Sequence, residues 1–192
     1  MEKMKVNQTL DAKGLACPMP IVKTKKAMKD LESGHVLEIQ ATDKGSKADI
    51  KAWSESTGHQ YLGTIEEGGV LNHFIRKSSH DETTSETKYP YTISNEDLMK
   101  TLEDNEQVVV LDVRETAEYA FNHIPGAISI PLGELEDHFD QLNKASKTFV
   151  ICRTGTRSDL ASQKLASNGF TNVFNVLPGM SGWFGKTVNF NQ

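Results

Sequence analysis

The chain has 192 residues, a net charge of −5 and 37% hydrophobic residues. That balance suits one large or two small globular domains and excludes the strong basic excess of a direct nucleic-acid binder. Two cysteines are too few for a disulfide framework or a cysteine zinc site, and the six histidines are scattered without ligand spacing, so no metal is expected. The longest clean apolar run, Val108 to Leu111, is far too short to span a membrane, so no membrane partner is expected either. Met1 to Lys5 is charged and leads into no apolar core segment, so no secretory signal is expected. Together with free thiols, this predicts a cytoplasmic location.

Charge is uneven along the chain. Residues 1–79 hold 12 Lys+Arg against 10 Asp+Glu, and residues 80–192 hold 9 against 16. The asymmetry predicts two units with opposite charge and a mutual attraction between them.

In chain order, Val6 to Leu10 reads as a strand. A turn follows, then Cys17-Pro18-Met19-Pro20 and a helix whose apolar positions Ile21, Met28 and Leu31 share one face. Pro18 suits a first helical position, which puts Cys17 at or near the N-cap, where a thiolate is favoured. Lys23, Lys25, Lys26 and Lys29 form the opposite face, either a solvated surface or a docking face for an acidic partner. Val36 to Thr42 is a second strand, and Ser46 to Asp49 resembles a capping box that opens a second helix. Two strands joined across Glu66 to Gly69 complete a β-α-β-α-β-β order. The prediction for residues 1–77 is a two-layer α/β sandwich.

Residues 78–90 read as a flexible linker, polar and poor in apolar side chains. A dozen such residues have an r.m.s. span of roughly 20 Å, so nothing in the linker's length forbids the two thiols from meeting.

Residues 91–192 alternate apolar strands with helices, which predicts a central parallel sheet covered on both faces. A capping box at Ser94 to Asp97 opens the first helix. Thr148 to Cys152 is the central buried strand, and Cys152-Arg153-Thr154-Gly155-Thr156-Arg157-Ser158 turns from it into a helix with Leu160, Ala161 and Leu165 inward. Cys152 thus sits at a strand's carboxyl end, where such folds place ligands. The loop's N–H groups and the helix dipole make an anion site that favours the ionised thiol. Arg153 and Arg157 are expected to add charge on either side, and Thr154, Gly155, Thr156 and Ser158 to line the cradle. A Cys-based phosphatase usually places five residues between Cys and Arg; here four intervene, which suits a single extra sulfur better. Asp112 and Arg114 close another strand, as active-site groups or as braces, with Glu118 a candidate partner of Arg114.

The loop from Cys152 to Ser158 resembles the active-site loop of single-domain rhodaneses. Leu111-Asp112-Val113-Arg114-Glu115, Glu118-Tyr119 and His123-Ile124-Pro125-Gly126-Ala127 resemble that family's other signatures, in family order. Asn122 stands where the family usually has Gly, a soft change if the position needs left-handed backbone angles. Leu10-Asp11, Gly14-Leu15 and Cys17-Pro18-Met19-Pro20 resemble the signature of TusA/SirA-like sulfur carriers. These resemblances imply a sulfurtransferase with no cofactor beyond a covalent cysteine persulfide. Cys152 would take sulfane sulfur from thiosulfate or a small thiol persulfide. Cys17 would pass it, in either direction, toward a thiol or protein-cysteine acceptor. The rhodanese resemblance also places the turn Pro178 to Trp183 beside the active loop. The alternative is a persulfide carrier or sensor loaded by partner proteins, without turnover of small donors.

Overall fold

The computed structural model describes residues 4–79, 88–104 and 107–189. The chain separates into two compact units, Met1–His80 and Asp81–Gln192. Of the expected linker, residues 80–87 lie outside the described residues.

The first unit runs β1 (Gln8–Ala12), α1 (Met19–Asp30), β2 (Val36–Ala41), α2 (Ser46–Ser56), β3 (Gln60–Glu67) and β4 (Val70–Arg76). Its sheet has the order β1-β2-β4-β3, with β1 parallel to β2 and the other pairs antiparallel. The hairpin between β3 and β4 turns at Gly68 and Gly69, whose φ values of 58° and 80° are open to glycine without steric cost. Both helices pack on one sheet face, where Ala27, Met28 and Leu31 of α1 and Ile50 of α2 meet Leu37, Ile39 and Ile75. One buried polar cluster lies beneath α2. His73, wholly buried, reaches Ser46 Oγ at 2.9 Å through Nε2 and Thr64 Oγ1 at 2.7 Å through Nδ1, and Tyr61 bonds to Thr64. Ser46 therefore serves the core rather than a capping box: its hydroxyl donates to Asp43 O, and Gly45 is the N-cap.

The second unit runs β5 (Thr92–Ser94), α3 (Asn95–Glu103), β6 (Val109–Asp112), α4 (Thr116–Phe121), β7 (Ile128–Ser129), a 3₁₀ segment (Leu132–Gln141), β8 (Thr148–Ile151), α5 (Thr156–Ser167), β9 (Val173–Leu177) and a 3₁₀ turn (Met180–Gly182). The five-stranded sheet is parallel throughout, in the order β5-β9-β8-β6-β7. Apolar clusters lie on both faces, one around Leu111, Val150 and Leu165, the other around Leu98, Phe149 and Ile151. Alternate residues of β8 thus feed opposite cores, which is why Thr148 to Ile151 is an unbroken buried run.

One strand stands outside the sequence expectations, and two of those expectations are corrected. The edge strand β5 has three residues and no apolar alternation to announce it; it pairs in parallel with β9. Leu160 is 49% exposed, so only Ala161 and Leu165 of the expected trio face the core. Asn122 has φ −167°, an extended angle open to any residue, so the position needs no glycine.

Candidate functional site

Cys152 follows directly on β8, the middle strand of the five, and is 1% exposed. The Gly155 N–H donates to its Sγ at 3.1 Å, and the Ser158 hydroxyl lies 3.3 Å from the same sulfur. Gly155 is the N-cap of α5 with φ 102°, so the chain reverses there and aims the start of a 12-residue helix at the sulfur. The N–H groups at the start of a helix, and the positive end of its dipole, favour a negative sulfur species.

The turn after β9 clamps the loop from behind. Met180 N–H donates to Cys152 O and Ser181 N–H to Arg153 O, each at 2.8 Å. Asn95 Nδ2 donates to Gly179 O at 2.9 Å and ties this turn to α3. The Cys152 carbonyl is thus held by the clamp while the Gly155 N–H turns to the sulfur.

The two arginines of the loop part company. Arg157, expected beside the substrate, is buried and bidentate to Glu118, with Nη1 to Oε2 at 2.7 Å and Nη2 to Oε1 at 3.0 Å. Its charge is already met by a carboxylate, so Arg157 braces the loop against α4 and does not present a free cation. Glu118 also accepts from Glu115 N–H at 3.0 Å, closing the capping box of α4. Glu118 is therefore the partner of Arg157, not of Arg114. Arg114 pairs instead with Asp112, Nη2 to Oδ2 at 2.6 Å, and donates to Asn122 O at 2.7 Å. Both are buried, and they lock the end of β6 to the loop after α4. Arg153 is half-buried, and no hydrogen bond or ion pair of its guanidinium is found among the described residues. Thr154 is exposed and Thr156 half-buried on the loop's rim.

Asn175 escaped the sequence reading. It is wholly buried in β9, with Oδ1 2.6 Å from Ser158 Oγ and Nδ2 donating to Gly155 O at 3.2 Å. The available signal was a lone amide inside the apolar run Val173 to Leu177.

In the first unit the lead-in to Cys17 is pinned. Asp11 Oδ1 accepts from Lys13 N–H at 2.9 Å, and Gly14 N–H donates to Thr42 Oγ1 at 2.9 Å. Cys17 is exposed, and α1 begins at Met19 with Pro18 as its N-cap, one residue later than expected. The thiol does not become more acidic there. A hydrogen bond to the Asp49 carboxylate of α2 pushes the Cys17 thiol above its ordinary range, and desolvation and the charges of Asp49 and Asp43 act the same way. The shift favours the protonated thiol. Asp49→Asn is therefore expected to move the pH midpoint of Cys17 alkylation to lower pH, measured in a Cys152→Ser background. An unmoved midpoint would show that Asp49 does not hold the thiol.

Among the described residues no cluster of three or more His, Cys, Asp or Glu could hold a metal, and no helix is long and apolar enough to cross a membrane.

Comparisons with known proteins divide the chain the same way. Residues 8–77 match the family model "Sulfurtransferase TusA", and residues 94–186 match "Rhodanese-like domain". The chain is 52% identical over 184 residues to the Bacillus subtilis protein named "Putative sulfur carrier protein YrkF", covering 96% of this chain and 99% of that one. The first unit alone is 44% identical over 72 residues to "Sulfur carrier protein TusA" of Allochromatium vinosum, 38% of this chain and 95% of that one. A rhodanese-related protein of Thermoplasma volcanium aligns at 33% identity and a TM-score of 0.47, over 51% of this chain and 97% of that one. The chain belongs to the family of sulfur-transfer proteins in which a TusA unit is followed by a rhodanese-like unit.

Proposed function

We propose that the protein is a sulfurtransferase that loads sulfane sulfur on Cys152, from thiosulfate or a small thiol persulfide, and relays it through Cys17. The observation that carries this reading is the Cys152 sulfur, buried at the start of α5 with the Gly155 N–H already directed at it. In the first step the Cys152 thiolate attacks the outer sulfur of thiosulfate. The new S–S bond forms as the old one breaks, and the electron pair leaves on sulfite. The N–H cradle holds the resulting Cys152 persulfide, and Arg153, free of a partner among the described residues, screens the arriving and departing anions. In the second step Cys17, its proton accepted by Asp49, attacks the outer sulfur. Cys152 leaves as thiolate and Cys17 carries the persulfide to a thiol acceptor; the same steps run backward if Cys17 is loaded first.

Sulfite release from thiosulfate with a thiol acceptor tests the small-donor half of this reading. The wild type releases sulfite and Cys152→Ala releases none. Arg153→Gln is expected to raise the KM for thiosulfate roughly 10- to 100-fold, the worth of one charge-assisted hydrogen bond of about 1.5–3 kcal/mol. Wild-type protein that releases no sulfite at any thiosulfate concentration would instead make the chain a carrier loaded by partner proteins.

A further inference from the structure

The Ser158 hydroxyl has one proton and two acceptors: Asn175 Oδ1 at 2.6 Å and Cys152 Sγ at 3.3 Å. Which acceptor holds it depends on how the Asn175 amide is turned, and the surroundings settle that. The other end of the amide faces Gly155 O at 3.2 Å. A carbonyl only accepts, so the Asn175 nitrogen must face Gly155, and its oxygen must face Ser158. An amide oxygen also only accepts. The short 2.6 Å line therefore carries the Ser158 proton, and Ser158 turns lone pairs toward the sulfur.

We infer that Asn175 is a positioning residue that holds the Ser158 proton away from Cys152, so that Ser158 offers the sulfur lone pairs rather than a proton and leaves its thiolate to the Gly155 N–H. This rests on the reading of Cys152 as the sulfur-bearing residue. In the resting thiol, S–H can donate to the Ser158 lone pairs. In the persulfide, the inner sulfur is bonded on both sides and uncharged, a weak acceptor, and the proton stays with Asn175. When an acceptor thiolate attacks the outer sulfur, the Cys152–sulfur bond breaks and its electron pair remains on Cys152 Sγ. That thiolate is met by the Gly155 N–H, while the Ser158 proton stays with the Asn175 oxygen. Asn175 and Gly155 sit in one buried chain, so the same contact that fixes the amide also fixes the loop N–H directed at the sulfur.

The test is the pH titration of Cys152 by its ultraviolet thiolate absorbance, in a Cys17→Ser background. Asn175→Leu leaves Ser158 no acceptor but the sulfur, and the midpoint is expected to fall by about one pH unit, a tenfold change in the ionisation equilibrium. In a Ser158→Ala background the same substitution is expected to move nothing, because the proton it acts through is gone. Ser158→Ala alone, which changes volume least, keeps the question open should Asn175→Leu fail to fold. The inference expects its midpoint unchanged or slightly lower. A rise of about one unit in Ser158→Ala would show that Ser158 already donates to the resting sulfur and would overturn the inference. An equal fall for Asn175→Leu with and without Ser158 would do the same. None of these readings requires sulfur transfer, so failure here is separable from failure of the proposed activity.

Discussion

Glu118→Ala is expected to destabilise the rhodanese-like unit by roughly 3–5 kcal/mol, the usual consequence of leaving one partner of a buried ion pair uncompensated. Arg157 is 8% exposed and bidentate to Glu118, so the substitution takes the carboxylate from a buried guanidinium. For a unit of about 100 residues, each kcal/mol shifts the melting temperature by roughly 4–8 °C, so the drop should exceed about 10 °C. The carboxylate also closes the α4 capping box, so Glu118→Gln, which keeps an acceptor but loses the charge, should fall between wild type and Ala. The paired replacement Glu118→Leu with Arg157→Met should be milder than Glu118→Ala alone, because no charge is left stranded. Calorimetry of the full chain reads all three. A melting temperature within about 2 °C of wild type for Glu118→Ala would show that the pair does not brace the unit.

Gly179→Ala is expected to damage the site from behind. A Cβ at this position would lie 2.5 Å from Cys152 O and 3.0 Å from Arg153 O, both backbone atoms of the active loop. Neither can rotate aside as a side chain would. The φ of 81° adds strain of roughly 1–3 kcal/mol for a residue with a Cβ. Relief requires the turn to retreat, and that breaks the bonds from Met180 N–H and Ser181 N–H that orient the loop. We expect a melting temperature lower by roughly 5–20 °C, from that strain and the conversion above. Sulfite release, measured on the fraction that remains folded, should fall by at least about tenfold, as misplacement of a reacting group by 1 Å can cost on the order of 100-fold. An Ala variant with unchanged stability and rate would show that the turn does not position Cys152.

What could be read from the sequence follows the range of the interactions. The strand, loop and helix around Cys152 are contiguous, so their apolar run and glycine announce them locally. The hairpin at Gly68-Gly69 is legible for the same reason. The engagement of Arg157 is not, because Glu118 stands 39 residues away and α4 must first fold against α5. Sequence proximity points Glu118 toward Arg114 instead. The Cys17 thiol shows the same effect. Its place before α1 was visible in the proline spacing, but Asp49 reaches it from α2, and the influence of a neighbouring helix reverses the direction expected from a helix start alone. Asn175 belongs to this class too. Its meaning as a polar residue in an apolar strand appears only once β9 lies beside β8 and places the amide between Gly155 and Ser158.

The most direct measurement is intact mass after brief exposure to thiosulfate, on wild type, Cys152→Ser and Cys17→Ser. Each sulfur taken up adds about 32 Da, the mass of the single atom transferred when thiolate attacks sulfane sulfur. The account predicts that Cys17→Ser gains one sulfur at Cys152, that Cys152→Ser gains none, and that wild type distributes sulfur over both cysteines. Equal loading of the two single variants would contradict it, because Cys17 would then be charged without passage through Cys152.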